Sequence, residues 1–140
     1  MASTTSKGTA PKDTAPTDPV DDLIADVFSR ACPSRQTLET VAGKWGTLAL
    51  VALTESSYRF NALRRRVDGV SEKMLAQTLH ALERDGLVTR DVQATIPPRV
   101  EYTLTPSGAR IAAQLRALID VVEAEFPAIV TARGEYDRRP

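Results

Sequence analysis

The stretch VSEKMLAQTLHALERDGLVTR, residues 70–90, repeats apolar and polar positions with the period of an α-helix. At about 100° per residue, one side of this helix is apolar and consists of Leu75, Leu79 and Leu82. The opposite side is polar and consists of Lys73, Gln77, His80 and Arg84. Ser71 can cap the first turn, and Gly86 can take the left-handed conformation that ends a helix. The pattern predicts a helix with one buried side and one side that offers hydrogen-bond donors to a partner.

A shorter helix is predicted directly before it, in FNALRRRV at residues 60–67. Its apolar face consists of Phe60, Leu63 and Val67. Only DGV separates the two helices, and Gly69 in that segment is free to adopt a positive φ angle. Two short helices joined by a glycine turn are typical of a helix-turn-helix.

Two segments rich in β-branched residues follow, LVTRDV at 87–92 and VEYTLT at 100–105. They predict two strands of a hairpin. The loop between them, QATIPPR at 93–99, contains paired prolines that stiffen it and exclude it from a central strand. A hairpin directly behind the second helix of a helix-turn-helix is a wing.

A long helix is predicted after the hairpin, with Thr105 as its cap and Pro106 in its first position. Ile111, Leu115, Leu118 and Val122 are spaced four, three and four residues apart, as in a coiled-coil seam. Pro127 is expected to end or kink this helix.

Three helices are predicted upstream of the helix-turn-helix. The first lies in DPVDDLIADVFSR at 18–30, the second in SRQTLETVA at 34–42, and the third in GKWGTLALVALT at 43–54. The third is apolar on nearly all sides, which is typical of a central helix. Residues 1–19 contain no valine, isoleucine, leucine or aromatic residue, so they predict a disordered tail.

Five segments also carry a resemblance to a known family. They are CP at 32–33, GKW at 43–45, YRFNAL at 58–63, the helix segment at 70–90, and PPRVEYTLTPSG at 97–108. In this order they resemble the HxlR family of bacterial winged-helix transcription regulators. Members of this family often carry a tryptophan in the last helix, and this chain has none there.

The resemblance and the pattern predict the same architecture: a mainly α-helical fold with a small β-hairpin wing, a winged helix-turn-helix. We expect residues 20–132 to form this domain, with dimerisation helices at both ends, and residues 133–140 to form a flexible tail. The resemblance implies a homodimer that binds palindromic double-stranded DNA near its own gene and regulates transcription.

Nine residues are predicted to contact DNA. Lys73 and Gln77 are expected to reach base edges or adjacent phosphates, because a helix fits the major groove. Ser71 can bind a phosphate together with free backbone N–H groups at the helix start. The remaining candidates for the DNA backbone or minor groove are His80, Arg84, Arg59, Arg65, Arg66 and Arg99. Taken singly, each is also explained as a solvent-exposed polar residue, and Arg64 is equally compatible with an internal salt bridge to Glu83 or Asp85.

The single cysteine, Cys32, is a candidate redox sensor. Neighbouring Arg30 and Arg35 would favour its thiolate, which is the reactive form. The resemblance adds that some family members use a cysteine at this position to sense oxidants or electrophiles. A small-molecule effector is a further candidate. The alternative is a buried, inert cysteine that acts as a small hydrophobic residue.

Composition narrows the function classes only slightly. Basic and acidic residues number 18 each, and 42% of the 140 residues are hydrophobic. Residues 44–110 carry ten basic and seven acidic residues, a surplus of three, which weakly favours a polyanionic partner. No segment predicts a membrane span or signal peptide, so we expect a cytoplasmic protein.

An enzyme, a metal site and a cofactor are not expected. The chain has one histidine and one cysteine, with no nucleophile, base and orienting group in a recognisable arrangement. The main alternative to a DNA-binding regulator is a winged-helix module that contacts only other proteins.

Overall fold

The computed structural model describes residues 26–140. The tail predicted at 1–19 and most of the helix predicted at 18–30 lie outside the described residues. The described chain divides after Leu38 into two compact units. In the first unit, residues 26–30 form turns, so the predicted helix is wrong in this part. The carboxylate of Asp26 accepts a hydrogen bond from the backbone N–H of Phe28 at 3.0 Å, and this local turn competes with a helix.

Five helices and three strands follow in the described chain. They are α1 (Pro33–Ala42), α2 (Lys44–Glu55), β1 (Tyr58–Arg59), α3 (Phe60–Arg66), α4 (Glu72–Arg84), β2 (Val88–Gln93), β3 (Arg99–Leu104) and α5 (Pro106–Asp137). The strands form one antiparallel sheet in the order β1-β3-β2. The division between the two units falls inside α1. The predicted helix-turn-helix (α3 and α4) and its wing (β2 and β3) are confirmed, and the fold is a winged helix-turn-helix.

The core of the second unit surrounds α2, which is the central helix that its sequence predicted. Ala49 and Leu50 of α2 are fully buried. The other large side chains with almost no exposure come from the helix-turn-helix and the wing: Leu63, Leu75, Leu79, Leu82 and Val88. Trp45 lies at the edge of this core and is only partly buried. The apolar faces of α3 and α4 therefore meet on α2, as their spacing predicted.

The connections of the helix-turn-helix use the predicted residues. Gly69 has φ of 92° between α3 and α4, and Gly86 has φ of 74° after α4. The Ser71 hydroxyl accepts a hydrogen bond from the backbone N–H of Met74 at 3.0 Å and caps α4. Both glycines adopt a backbone conformation that a residue with a Cβ resists. The turn and both ends of α4 are thus fixed locally.

The start of α5 is tied to the segment where α4 ends. The Thr105 hydroxyl donates a hydrogen bond to the carbonyl of Gly86 at 2.7 Å, and the Thr105 N–H donates to the carbonyl of Leu87 at 3.1 Å. The same hydroxyl accepts from the N–H of Gly108 at 3.0 Å and caps α5. One threonine therefore joins three elements: α4, the wing and α5.

The length of α5 departs from the prediction. The helix does not end at Pro127 but continues to Asp137, so residues 133–137 are helical rather than part of a tail. Proline removes one N–H donor, which leaves the carbonyl of Glu123 without its usual helical partner. Both residues are exposed, so water can bind that carbonyl. The Thr131 hydroxyl also donates to the carbonyl of Pro127 at 3.2 Å.

Two glycines of α5 give a matched test of this packing. A Cβ at Gly108 would overlap the backbone carbonyl of Leu87, whereas a Cβ at Gly134 would meet only the flexible end of Arg138 at 3.5 Å. We expect Gly108→Ala to lower the free energy of unfolding by about 2 kcal/mol or more, because backbone must move. Gly134→Ala should raise it by about 0.5–1 kcal/mol through helix propensity.

Chemical denaturation followed by circular dichroism measures both values. Equal effects of the two alanines would contradict the close approach of α5 to Leu87.

Candidate nucleic-acid interface

The interface is centred on α4, whose two sides differ in burial as its pattern predicted. Leu75, Leu79 and Leu82 are at most 1% exposed. The predicted contact residues on the other side are all exposed: Lys73, Gln77, His80 and Arg84. Ser71, which caps the start of α4, is exposed as well. The leucines fix the rotation of α4 about its axis, so this polar side, which we call the polar stripe, faces away from the core.

The first turn of α4 is suited to an anion. The Ser71 hydroxyl accepts a hydrogen bond from the N–H of Met74, and its own proton remains to be donated to an anion. The N–H groups at the start of a helix point along its axis without a helical acceptor. Together with the hydroxyl of Ser71 and the nearby ammonium of Lys73, they can bind a phosphate oxygen.

The predicted arginines of this region separate into two kinds. Arg59 and Arg65 are exposed and line one shallow cavity beside α3. Arg66 instead forms a two-point ion pair with Glu55 of α2, with N–O distances of 2.8 and 2.6 Å. Its guanidinium is therefore engaged within the protein, so a contact of Arg66 with a phosphate would compete with this ion pair. The ion pair that the structure shows on this helix is made by Arg66 and not by Arg64.

Glu55 is the centre of this tie between α2 and α3. It accepts two hydrogen bonds from Arg66 and one from the Tyr58 hydroxyl at 3.2 Å. The Arg66 hydrogen bonds are the main reason that the pKa of the Glu55 carboxyl lies below its usual value. The charged form of Glu55 is thus favoured, and its ion pair with Arg66 ties α3 to α2.

The wing carries both signs of charge. Arg99 is exposed at the start of β3, where it pairs in register with Gln93. Asp91 and Glu101 lie directly opposite each other in the middle of the hairpin, and Arg59 of β1 pairs with Glu101 on its other side. Two opposed carboxylates repel phosphates, so a contact between the wing and DNA is best made at its tip.

Sequence reasoning missed Lys44 as a member of this region. Its ammonium lies 4.5 Å from the ring centre of Trp45, and both residues line a cavity together with Gln77 of the polar stripe. This cavity lies between α2 and α4. A basic residue in the first turn of the central helix was the available signal, but only the packing of α4 on α2 places it near Gln77.

The second half of α5 presents an apolar surface. Ile111 and Leu115 of the predicted seam pack against the core, whereas Leu118 and Val122 are 57% and 47% exposed. Phe126 and Val130 continue the exposed apolar surface toward the end of the helix. Beside it, Leu118 and Val122 line an apolar cavity of about 440 Å³ together with Leu48 of α2. We call Leu118, Val122, Phe126 and Val130 the apolar strip of α5.

Cys32 lies in the first unit, directly before α1, and is partly exposed. A hydrogen bond with the Ser34 hydroxyl, at 3.1 Å, is the main cause that lowers the pKa of the thiol below its usual value. Backbone groups of Asp26, Ser34 and Arg35 add to the effect. The predicted cause, the charge of the neighbouring arginines, is not the leading one; the guanidinium of Arg35 donates to the carbonyl of Phe28.

Other kinds of site have little support in residues 26–140. This part of the chain holds no group of three or more histidine, cysteine, aspartate or glutamate side chains that could bind a metal ion. None of its helices combines the length and the apolar character needed to span a membrane.

Comparison with known proteins decides the family. The family model described as HxlR-like helix-turn-helix matches residues 40–129, which include all of α2, the helix-turn-helix and the wing. The chain belongs to the HxlR family. The resemblance inferred from the sequence is therefore confirmed.

Three relatives illustrate the match. The HTH-type transcriptional regulator YtfH of Escherichia coli strain K12 is 47% identical over 110 residues, which cover 79% of this chain and 87% of the relative. The solved structure of YtfH from Salmonella typhimurium has a TM-score of 0.73 and 46% identity, and the match covers 78% of this chain and 97% of that one. The redox regulator HypR in its oxidized form has a TM-score of 0.61 and 33% identity, covering 66% of this chain and 96% of that one.

Proposed function

We propose that this protein is a homodimeric transcription regulator that binds DNA in a sequence-specific way and places α4 in the major groove. The observation that carries the proposal is the polar stripe of α4, fixed outward by three buried leucines and flanked by a wing. An α-helix fits the major groove, where each base pair presents a distinct pattern of donors and acceptors. A DNA-binding role also implies a cytoplasmic location.

The polar stripe divides into base and backbone contacts along the helix. Lys73 and Gln77, near the start of α4, are proposed to reach base edges, since recognition helices read bases mainly with their N-terminal residues. The remaining candidates are assigned to phosphates: Ser71, His80, Arg84, Arg59 and Arg65. Arg99 is assigned to a phosphate that borders the minor groove at the tip of the wing. Arg66 is left out because its ion pair with Glu55 occupies it.

The double variant Lys73→Ala plus Gln77→Ala tests the proposal. We expect it to lose about 2–6 kcal/mol of binding free energy on DNA from the region upstream of the gene, because two base contacts disappear. Fluorescence anisotropy across a salt series measures this loss and the number of phosphate contacts. The control, Arg110→Ala plus Gln114→Ala, removes exposed side chains at the same spacing on α5 and should leave the affinity close to wild type.

Equal binding of the wild type to scrambled DNA, unaffected by the first double variant, would overturn the proposal. It would instead favour a winged-helix module that contacts only proteins.

The dimer is proposed from the apolar strip of α5. Two recognition helices of a dimer read half-sites about 34–36 Å apart, so a twofold partner accounts for a palindromic operator. A long helix with an exposed apolar strip has the composition of a helix–helix interface, which excludes water from such a surface. The N-terminal segment predicted to join this interface lies outside the described residues.

The variant Leu118→Lys plus Val122→Lys tests the interface. We expect the wild type to be a dimer at micromolar concentration and the variant to be a monomer, because buried lysines without partners are costly. Analytical ultracentrifugation measures the mass. Ala124→Lys, which lies on the other side of the same helix, is the control and should remain dimeric. A monomeric wild type would contradict the proposal.

We also propose that Cys32 is the group through which an oxidant or electrophile alters DNA binding. The support is its partial exposure, the lowered pKa of its thiol, and the presence of a redox regulator among the similar structures. A larger thiolate fraction raises the rate of reaction with peroxides and electrophiles. Because the chain has one cysteine, a disulfide must join it to a second molecule or to a small thiol.

Cys32→Ser tests this sensor. We expect diamide with glutathione to change the DNA affinity of the wild type and to leave that of the variant unchanged, since the variant has no thiol. Anisotropy before and after reduction measures the effect and its reversal. A variant that still responds to the oxidant would exclude Cys32 as the sensor.

A further inference from the structure

The tip of the wing is apolar and points into solvent. Ile96 is 102% exposed, the largest value among the exposed hydrophobic side chains of the described chain. Pro97 and Pro98 follow it and are also exposed. Val92, which is 54% exposed, lies within β2 before the tip. An isoleucine that stays fully exposed to water does not stabilise the fold by burial, so its side chain is available to a partner.

The tip is also stiff. The N–H of Thr95 donates to the carbonyl of Gln93 at 2.9 Å, and the Thr95 hydroxyl donates to the carbonyl of Pro97 at 2.7 Å. The first of these hydrogen bonds precedes Ile96 and the second spans it, and the two prolines fix their own φ angles. A preorganised loop loses little conformational entropy on binding, so more of the binding free energy of its apolar side chain is retained.

The length of the wing and the positions of its charges are compatible with DNA as the partner of the tip. Each strand has six residues, so the hairpin extends about 17–20 Å from its base, which follows α4 by three residues, and this length is close to half of a DNA turn. A recognition helix in the major groove would therefore bring the tip to the adjacent minor groove. The opposed carboxylates of Asp91 and Glu101 disfavour a phosphate contact in the middle of the hairpin, whereas Arg99 favours one at the tip.

We propose that Ile96 is a hydrophobic wedge that the wing inserts between neighbouring base pairs from the minor groove. Apolar side chains, isoleucine and proline among them, are used in this way by proteins that partly unstack a base step and bend DNA. Arg99 neutralises a phosphate beside the opened step. The site would favour flexible pyrimidine–purine steps, so Ile96 would add a preference at base pairs that α4 does not reach. The proposal rests on the proposed DNA-binding function.

The experiment uses the full-length protein and the upstream DNA fragment. Hydroxyl-radical footprinting locates the wing, and 2-aminopurine then replaces adenines at successive positions under it. We expect the wild type to raise the 2-aminopurine fluorescence several-fold at one step, because unstacking removes quenching. Ile96→Ala should abolish this rise and weaken binding about tenfold, the value of one buried aliphatic side chain. Val92→Ala, on the same hairpin but away from the tip, is the control and should keep the signal.

The outcomes separate the wedge from the function on which it rests. Tight, sequence-preferring binding with no rise in fluorescence at any position, or a rise that Ile96→Ala retains, would overturn the wedge and leave the DNA-binding function intact. Absence of sequence-preferring binding by the wild type, seen by anisotropy in the same samples, would overturn both. Ile96 is fully exposed, so the Ile96→Ala variant is expected to fold normally and to have the same circular dichroism spectrum as the wild type.

Discussion

The rotation of α4 about its own axis is the constraint on which the rest of the site depends. Leu75, Leu79 and Leu82 are buried in the core around α2, and together they leave only one orientation of the helix. A turn of α4 by one residue, about 100°, would expose leucines and bury Lys73 or Gln77 without a partner. Burying the ammonium of a lysine without a partner has a large cost in free energy, and exposing leucines adds to that cost. The polar stripe is therefore directed by packing and not by its own contacts.

The second constraint is the contact of Thr105 with the segment Gly86–Leu87. Thr105 hydrogen-bonds the carbonyls of both residues and also caps α5. The end of α4, the residue before the hairpin and the start of the long helix therefore meet at one threonine. Gly108 keeps the helix close enough for these bonds. A displacement of α5 at this point must act on α4 as well, since hydrogen bonds of this length tolerate little stretching.

The sequence predicted those features that depend on local chemistry. The caps at Ser71 and Thr105 and the glycine turns at Gly69 and Gly86 follow from side chains that act within a few residues, and all four are present. It could not distinguish Arg66 from Arg65, because their roles depend on Glu55, which lies eleven residues earlier in the chain and meets Arg66 only after α2 and α3 pack.

Two local predictions of helix boundaries were wrong, one at Pro127 and one near Asp26. Pro127 was expected to end or kink α5, but the helix continues to Asp137. The position is exposed, so water can bind the carbonyl that loses its N–H donor. The helix predicted through residue 30 is absent at residues 26–30, where the carboxylate of Asp26 accepts a hydrogen bond from the backbone N–H of Phe28.

The long helix α5 has different roles along its length. It is about 48 Å long over its 32 residues. Ile111 and Leu115 belong to the core of the same chain, whereas the apolar strip lies beyond it. A partner bound to the strip would therefore hold a rigid element whose other end is fixed to α4, which gives a mechanical route from a dimer interface to the polar stripe.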